Sequence, residues 1–246
     1  MLTLSLTLNI LHICNKNFYL LFLNVIKKWN DLYNRSWFPR VFPFAVFMTF
    51  VILESTFTSD VYLIYIVKSI VVGLILLHFR SKYSEINLSA SFKDICAAVA
   101  VGVVVFILWI NMTWDFAILG EPRNSNPYRL LSSGTLTIAI FFRIYGSSVV
   151  VPVMEELFWR SFLIRWIDNN DFLSVKIGTF TLRSFVITVL LFGSEHSLWL
   201  AGIAAGIIYN LFLYYRKSIF LCIISHSVTN IILSIYVLYS GRWMFW

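Results

Sequence analysis

Three short stretches carry residues able to do acid–base chemistry, and all three interrupt otherwise apolar sequence. Glu155-Glu156-Leu157-Phe158-Trp159-Arg160 sets two adjacent carboxylates ahead of an arginine. Phe192-Gly193-Ser194-Glu195-His196 and His226-Ser227-Val228-Thr229-Asn230 each add a histidine further along. Ionisable groups in a membrane segment are costly unless paired or hydrated, so a buried Glu pair marks a functional site whose partners must be found. A carboxylate and two imidazoles are the parts of a centre that activates water, and they point to hydrolysis within the membrane.

Spacing divides the roles. Adjacent helical residues point about 100° apart, whereas residues four apart share a face. Glu156 therefore faces Arg160 and is held as a carboxylate by it, which leaves Glu155 to take a proton from water. Phe192 and His196 are four apart, as are His226 and Asn230, so each pair turns one face of its helix toward a common centre. The expected arrangement is a water held by Glu155 and His196, with the oxyanion of the attacked carbonyl stabilised by His226 and Asn230. Arg160 and Phe192 support this set structurally, and Glu195 is a further carboxylate at its rim. Arg143 must face the bundle interior or a wet cavity, to bind a substrate carboxylate or a backbone carbonyl, unless it snorkels to the interface. Glu155, His196 and His226 are also a sufficient donor set for zinc with an open position for water. The two-His helical motif of common zinc proteases and a nearby cysteine ligand are both missing from the sequence. The centre thus needs no cofactor, or a divalent metal such as zinc. The plainer alternatives are an ion pair that fixes packing, for the Glu pair, and hydrogen-bonded packing residues, for the histidines.

These residues have to be positioned by membrane helices. Of the 246 residues 59% are hydrophobic and 13% charged, with a mean hydropathy of +0.81, far from the balance of a soluble domain. At about 20 apolar residues per span the length allows one all-α, polytopic bundle of six to eight helices enclosing the catalytic cavity. Apolar stretches are expected at 41–57, 61–79, 95–110, 133–167, 184–196, 198–215 and 219–239, with a loop at 111–127. Residues 1–40 read as a weakly membrane-associated extension, and 41–246 as the membrane domain. The net charge of +7 does not indicate nucleic acid, because Lys and Arg cluster at 27–40, 80–93, 165–183 and 216–217, between apolar runs. The positive-inside rule makes these clusters cytoplasmic. Counting about 1.5 Å per residue from them, Glu155, His196 and His226 lie roughly 15, 20 and 14 Å deep, near the middle of a core about 30 Å thick. Gly202 and Gly206 form a small-xxx-small surface for close helix approach. Cys14, Cys96 and Cys222 suggest no disulfide framework.

At these residues the chain resembles the CPBP family of intramembrane proteases, which contains the CAAX prenyl endopeptidases and bacteriocin-processing and immunity proteins. The family pattern of Glu-Glu-x-x-x-Arg, Phe-x-x-x-His and His-x-x-x-Asn is met in order at Glu155 to Arg160, Phe192 to His196 and His226 to Asn230. The resemblance covers about 130–240. It implies a bundle of about eight helices around a cavity open to the cytosol, with Glu155 and His196 activating water, Glu156 assisting, and His226 with Asn230 as the oxyanion site. The glutamate-dependent and metal-dependent views of the family both remain compatible with these residues. Val151-Pro152-Val153-Met154 and the aromatic Trp243-Met244-Phe245-Trp246 look like the bacterial CAAX-protease-related branch found beside exosortase sorting systems. The resemblance thus implies a multi-pass protein of the bacterial cytoplasmic membrane. Its partners would be the lipid bilayer, a membrane-associated protein or peptide substrate, and a bacterial protein-sorting system. Two other classes use the same parts: a non-catalytic binding or immunity protein, and a proton-coupled transporter. Intact Glu155, His196, His226 and Asn230 argue against the first, and the lack of internal repeats argues against the second.

Overall fold

The computed structural model describes residues 24, 26–120 and 126–246. The chain divides into two compact units at Pro39 and Arg40. In the first, a helical stretch over 26–33 leads to Phe38, whose ring meets Trp29 edge-on at 5.7 Å. Residues 1–23 and 25 of the extension expected over 1–40, with Cys14, lie outside the described residues, as does the charged part of the loop at 121–125.

The longer apolar runs form helices α1 (Phe38–Thr56), α2 (Val61–His78), α3 (Phe92–Asn111), α4 (Ser133–Trp166), α5 (Leu182–Ser194), α6 (Trp199–Arg216) and α7 (Ile219–Ser240). Five of them, α1 to α4 and α7, are long and apolar enough to cross a membrane among the described residues, and no strand occurs there. The all-α polytopic expectation is borne out. Helix starts follow local chemistry. Ser91 and Asp94 form a reciprocal capping box on α3, and the hydroxyls of Thr181 and Ser218 accept from the backbone N–H three residues on at α5 and α7, satisfying otherwise orphaned donors. Exposed Leu63, Leu74, Ile107 and Ile235 lie on outward faces, as lipid contact requires.

α4 is not a regular helix. Residues Gly146–Val150 and Glu156–Leu163 are π-helical, flanking the short α-helical piece Val151–Glu155. Pro152 lacks an N–H and its ring would crowd the carbonyl of Ser148, four residues back. A widened turn relieves that clash, and π turns recur at functional sites. Packing brings α7 along α3, α6 along α5, and the first half of α4 against α2. Gly102 permits the first of these contacts: a Cβ there would stand 2.5 Å from the Ser225 carbonyl oxygen and 2.9 Å from the Val228 Cβ. The expected Gly202 and Gly206 surface meets α5, since a Cβ on Gly202 would lie 3.0 Å from the Gly193 Cα.

The basic residues of the loops gather at one end of the bundle, and the helices are locked there by ions. Arg40 donates to Glu85 at 2.6 and 2.5 Å and to the Lys82 carbonyl at 2.9 Å. The Ser161 hydroxyl also donates to Glu85, and Arg165 donates to the Ser161 hydroxyl at 2.9 Å and to the Val175 carbonyl at 3.2 Å. Both guanidiniums lie over the Phe172 ring, at 5.3 and 5.0 Å. A second pair, Arg216 with Asp94 at 2.7 Å, ties α6 to α3. At the opposite end the loop after α3 crosses the turn between α5 and α6: the Leu119 N–H donates to the Ser197 carbonyl at 2.7 Å and the Trp199 indole to the Phe116 carbonyl at 3.0 Å.

Burial pushes the Glu85 carboxyl up, but the hydrogen bonds and charge of Arg40 with the Ser161 hydroxyl outweigh it and hold Glu85 below the usual carboxylate range. The sign follows: the unfolded chain, titrating near pH 4.3, binds the proton more readily, so this stabilisation is complete above that pH and is lost as pH falls through the folded value. Glu85→Gln should lower stability by about 3–5 kcal/mol at neutral pH by removing the carboxylate charge that faces buried Arg40. It should also flatten the acid limb of a thermal-unfolding series in detergent. An unchanged acid limb would assign that limb to other carboxylates.

Candidate active site

α4, α7 and the end of α5 bring the chemistry-bearing residues together. Glu155 is 4% exposed and lines a cavity of about 160 Å³ together with His196, His226 and Asn230. A hydrated position needs on the order of 10–15 Å³, so several waters fit. One Glu155 carboxylate oxygen is buried with no hydrogen-bond partner among the described residues, an acceptor left for something that enters the cavity.

The two histidines are fixed by their Nδ1 atoms. His196 Nδ1 lies 2.8 Å from the Phe192 carbonyl oxygen. A carbonyl only accepts, so Nδ1 carries the hydrogen and Nε2 of the neutral ring keeps its lone pair. His226 Nδ1 lies 2.9 Å from Glu156 Oε1, and its ring stacks on Tyr209 at 5.2 Å. Asn230 donates through Nδ2 to the Ser147 carbonyl at 2.7 Å, which leaves a second amide N–H. That carbonyl belongs to the π-helical turn of α4, so the widened turn anchors Asn230.

Glu156 faces away from the cavity. It is fully buried, and its Oε1 accepts from Arg160 at 3.2 Å as well as from His226. The expected pairing with Arg160 is present, within a π-helical turn. Arg160 Nε donates to Asn210 Oδ1 at 3.2 Å, Asn210 Nδ2 donates to the Thr188 hydroxyl at 2.9 Å, and the guanidinium lies 4.3 Å from the centre of the Phe192 ring. A chain of polar contacts thus joins α7, α4, α6 and α5. Phe192 holds His196 twice, through its carbonyl and through ring contact at 4.8 Å. Glu195 is near enough to interact electrostatically with Glu155 and has a buried oxygen without a hydrogen-bond partner among the described residues. Arg143 lines the cavity further along.

One placement needs correcting. His196 was expected on a helix through 184–196 with Phe192 on the same face, but α5 ends at Ser194, and His196 follows in a turn closed by its N–H to the Gly193 carbonyl at 3.2 Å. α6 approaches closely at this end: a Cβ on Gly193 would lie 3.1 Å from the Trp199 carbonyl oxygen. The contact with Phe192 survives because the imidazole reaches back to the freed carbonyl. Tyr209, Thr229, Trp109, Phe245 and Trp246 also line the cavity and were missed as site residues. Tyr209-Asn210 is a polar step in an otherwise apolar helix and was a usable signal, whereas Trp109 had none.

The direction of the cavity also departs from expectation. Its lining runs from Glu155, Tyr209 and His226 at mid-depth to Arg143, Val237, Phe245 and Trp246, away from the end that gathers the basic loops. The cytoplasmic placement expected for those loops and the cytosolic opening implied by the resemblance therefore do not both hold.

Among the described residues no three His, Cys, Asp or Glu side chains are gathered as a metal cage. Glu155, His196 and His226 offer suitable donor types, but their grouping does not fit one ion, and no step of the mechanism is routed through a metal.

Residues 136–232 match the family model described as Rce1-like, type II CAAX prenyl endopeptidase Rce1-like. The matched span contains Glu155, Glu156, Arg160, His196, His226 and Asn230, so the resemblance read from the motifs is borne out. Neither the curated proteins nor the solved structures give a match. The five apolar helices make this a multi-pass membrane protein, and over 136–232 it is similar to an intramembrane-endopeptidase family.

Two outcomes test the geometry. Arg160→Ala strips Glu156 of a buried partner and should cost about 3–5 kcal/mol, read as a lowered unfolding temperature in detergent. In a variant freed of Cys14, Cys96 and Cys222, a single cysteine at the half-buried, cavity-lining Phe245 should react with an impermeant maleimide only from the membrane face opposite the basic loops. Labelling from the basic face alone would reverse the stated direction.

Proposed function

We propose that this chain, with its Rce1-like type II CAAX prenyl endopeptidase match at 136–232, cleaves a peptide bond of a membrane-associated protein or peptide by carboxylate-activated water. It would do so in the cytoplasmic membrane of a bacterium. The observation that carries the reading is the pairing of both Nδ1 atoms, at 2.8 Å for His196 and 2.9 Å for His226, beside the unpartnered carboxylate oxygen of Glu155.

His196 Nε2 accepts one hydrogen of the water and orients it. Glu155 takes the other proton as the oxygen attacks the carbonyl carbon, which is general base catalysis. Negative charge then grows on the former carbonyl oxygen. Asn230 offers its second Nδ2–H where the charge develops, and His226 could add an Nε2–H only as the imidazolium, with Glu156 accepting its Nδ1–H. When the intermediate collapses the C–N bond breaks, and Glu155 returns its proton to the leaving nitrogen. Arg160 acts through Glu156 and touches no reacting atom. Gly202 is tied to the same geometry, since a Cβ there would lie 3.3 Å from the His196 Cβ.

Protein termini in native membranes should be compared between cells carrying wild type and Glu155→Ala at matched expression. Termini present only with the wild type would identify the substrate and the bond. On that substrate Glu155→Ala and His196→Ala should lose about 10²–10⁴-fold in rate with wild-type unfolding temperature, and Asn230→Ala about 10²–10³-fold with a small loss of stability from the freed Ser147 carbonyl. Retained turnover in the first two would sink the assignment, and identical termini would move the protein to a non-catalytic binding role.

A further inference from the structure

A second concave region lies on the other side of α4 from the catalytic cavity. It is a groove between α2 and α4, of about 320 Å³ at the basic end and about 250 Å³ beyond it, and the two parts share Gly73, Leu77 and Tyr145. On α2 the lining falls at Ile70, Gly73, Leu74 and Leu77, and on α4 at Phe142, Tyr145, Val149 and Val153, the three- and four-residue spacing of one helix face on each. The catalytic lining of α4 is Arg143, Ser147, Val151 and Glu155, offset by two residues, or about 200° around a helix. Gly73 lets the two helices close to form the floor: a Cβ there would stand 3.3 Å from the Tyr145 hydroxyl oxygen and 3.6 Å from Val150 Cγ2. Leu74 and Leu77 are 61% and 56% exposed, so the open side faces lipid. Charge lines one end only. Arg80 stands there and Lys82 follows in the same 3-10 turn; both are exposed, and neither takes part in an ion pair among the described residues.

We propose that this groove binds one anionic glycerophospholipid of the leaflet at the basic end, with an acyl chain between α2 and α4 and the phosphate on Arg80 and Lys82. From Ile70 to Arg80 the groove runs roughly 15 Å at 1.5 Å per residue, half of a hydrocarbon core about 30 Å thick. That is the depth of one leaflet, and it places the cations where the head group of the same lipid stands. A guanidinium meets two phosphate oxygens at once, and basic pockets between membrane helices hold anionic head groups. A zwitterionic lipid brings its own ammonium to the same cations, so the site favours net negative charge. Each methylene taken up by the groove replaces a contact with mobile lipid by one with the fixed faces of α2 and α4, including Val149 and Val150 of the π-helical turn. The Ser147 carbonyl of that turn accepts from Asn230 on the other side, so the bound chain braces the wall on which Asn230 is anchored. The site itself is independent of the protease reading.

The test titrates the full-length protein in detergent with phosphatidylglycerol or phosphatidylcholine of the same acyl chains and reads bound lipid by native mass spectrometry. Wild type should retain one phosphatidylglycerol, with a Kd at least about 10-fold below that for phosphatidylcholine, as expected of charge-assisted hydrogen bonds. Arg80→Gln combined with Lys82→Gln should remove that preference. Lys93→Gln combined with Lys176→Gln, which lowers the net charge equally at other exposed positions, should leave it. Leu77→Trp should fill the groove and weaken retention of both lipids. Phosphatidylglycerol with a photoactivatable acyl chain should label residues 70–77 or 142–153 of the wild type, and unlabelled phosphatidylglycerol should compete while phosphatidylcholine should not; this arm holds even where a variant fails to fold. Equal retention of the two lipids by wild type would overturn the proposal, as would a preference that survives the loss of Arg80 and Lys82 or falls just as far in the Lys93 and Lys176 control. Label confined to other helices would overturn it too. A dimer that forms without lipid and dissociates in Leu77→Trp would give the groove to a second copy of the chain, and the lipid site would be withdrawn.

Discussion

A carboxylate with no access to solvent organises the centre of this molecule. Glu156 is fully buried, and a buried charge is tolerated only when its partners arrive with it. Those partners come from two places, Arg160 one turn along α4 and His226 on α7. Neither helix can shift along the other without leaving an ion unpaired in an apolar interior. Arg160 extends the constraint through Asn210 to Thr188, so α5 and α6 are drawn into the same register. The interaction that fixes packing also sets the ring orientation of His226. Fold and chemistry therefore share one set of hydrogen bonds.

Much of the fold was legible because the bilayer sets the length of an apolar run, and that length survives in the sequence whatever the helices do inside it. Expected and observed limits differ by only a few residues for α2, α3, α6 and α7. The Glu156–Arg160 contact was legible because it is local. What escaped the sequence was non-local or irregular. His226 lies seventy residues from Glu156, and no spacing rule reaches across that gap. The π-helical turns of α4 leave no periodic mark strong enough to separate them from an α-helix. The end of α5 before His196 lies where Gly193 meets α6, which is a property of the packed pair. Gly102 carried a faint signal, four residues after Ala98, whose meaning needed its neighbour on α7.

The two π-helical segments give α4 its unusual division of labour. The first presents the Ser147 carbonyl to Asn230, and the second carries Arg160 and Ser161. Ser161 joins the Arg40, Glu85 and Arg165 cluster, while Arg160 joins the buried centre. One irregular helix thus connects the ionic closure at the basic end to the cavity at the other. An ordinary helix with Pro152 at its middle would have had to break one of these connections.

The early end of α5 has a consequence for the membrane around it. Its 13 residues rise about 20 Å, short of a hydrocarbon layer about 30 Å thick. Hydrophobic mismatch of this size is met by local thinning of the bilayer or by snorkelling side chains. Where the bilayer answers by thinning, lipid dips around the turn that carries Glu195 and His196 and water follows it inward. A peptide held in the opposite leaflet would then meet the site by moving sideways along a shallow, wetted depression, without its polar backbone ever crossing a full hydrocarbon layer.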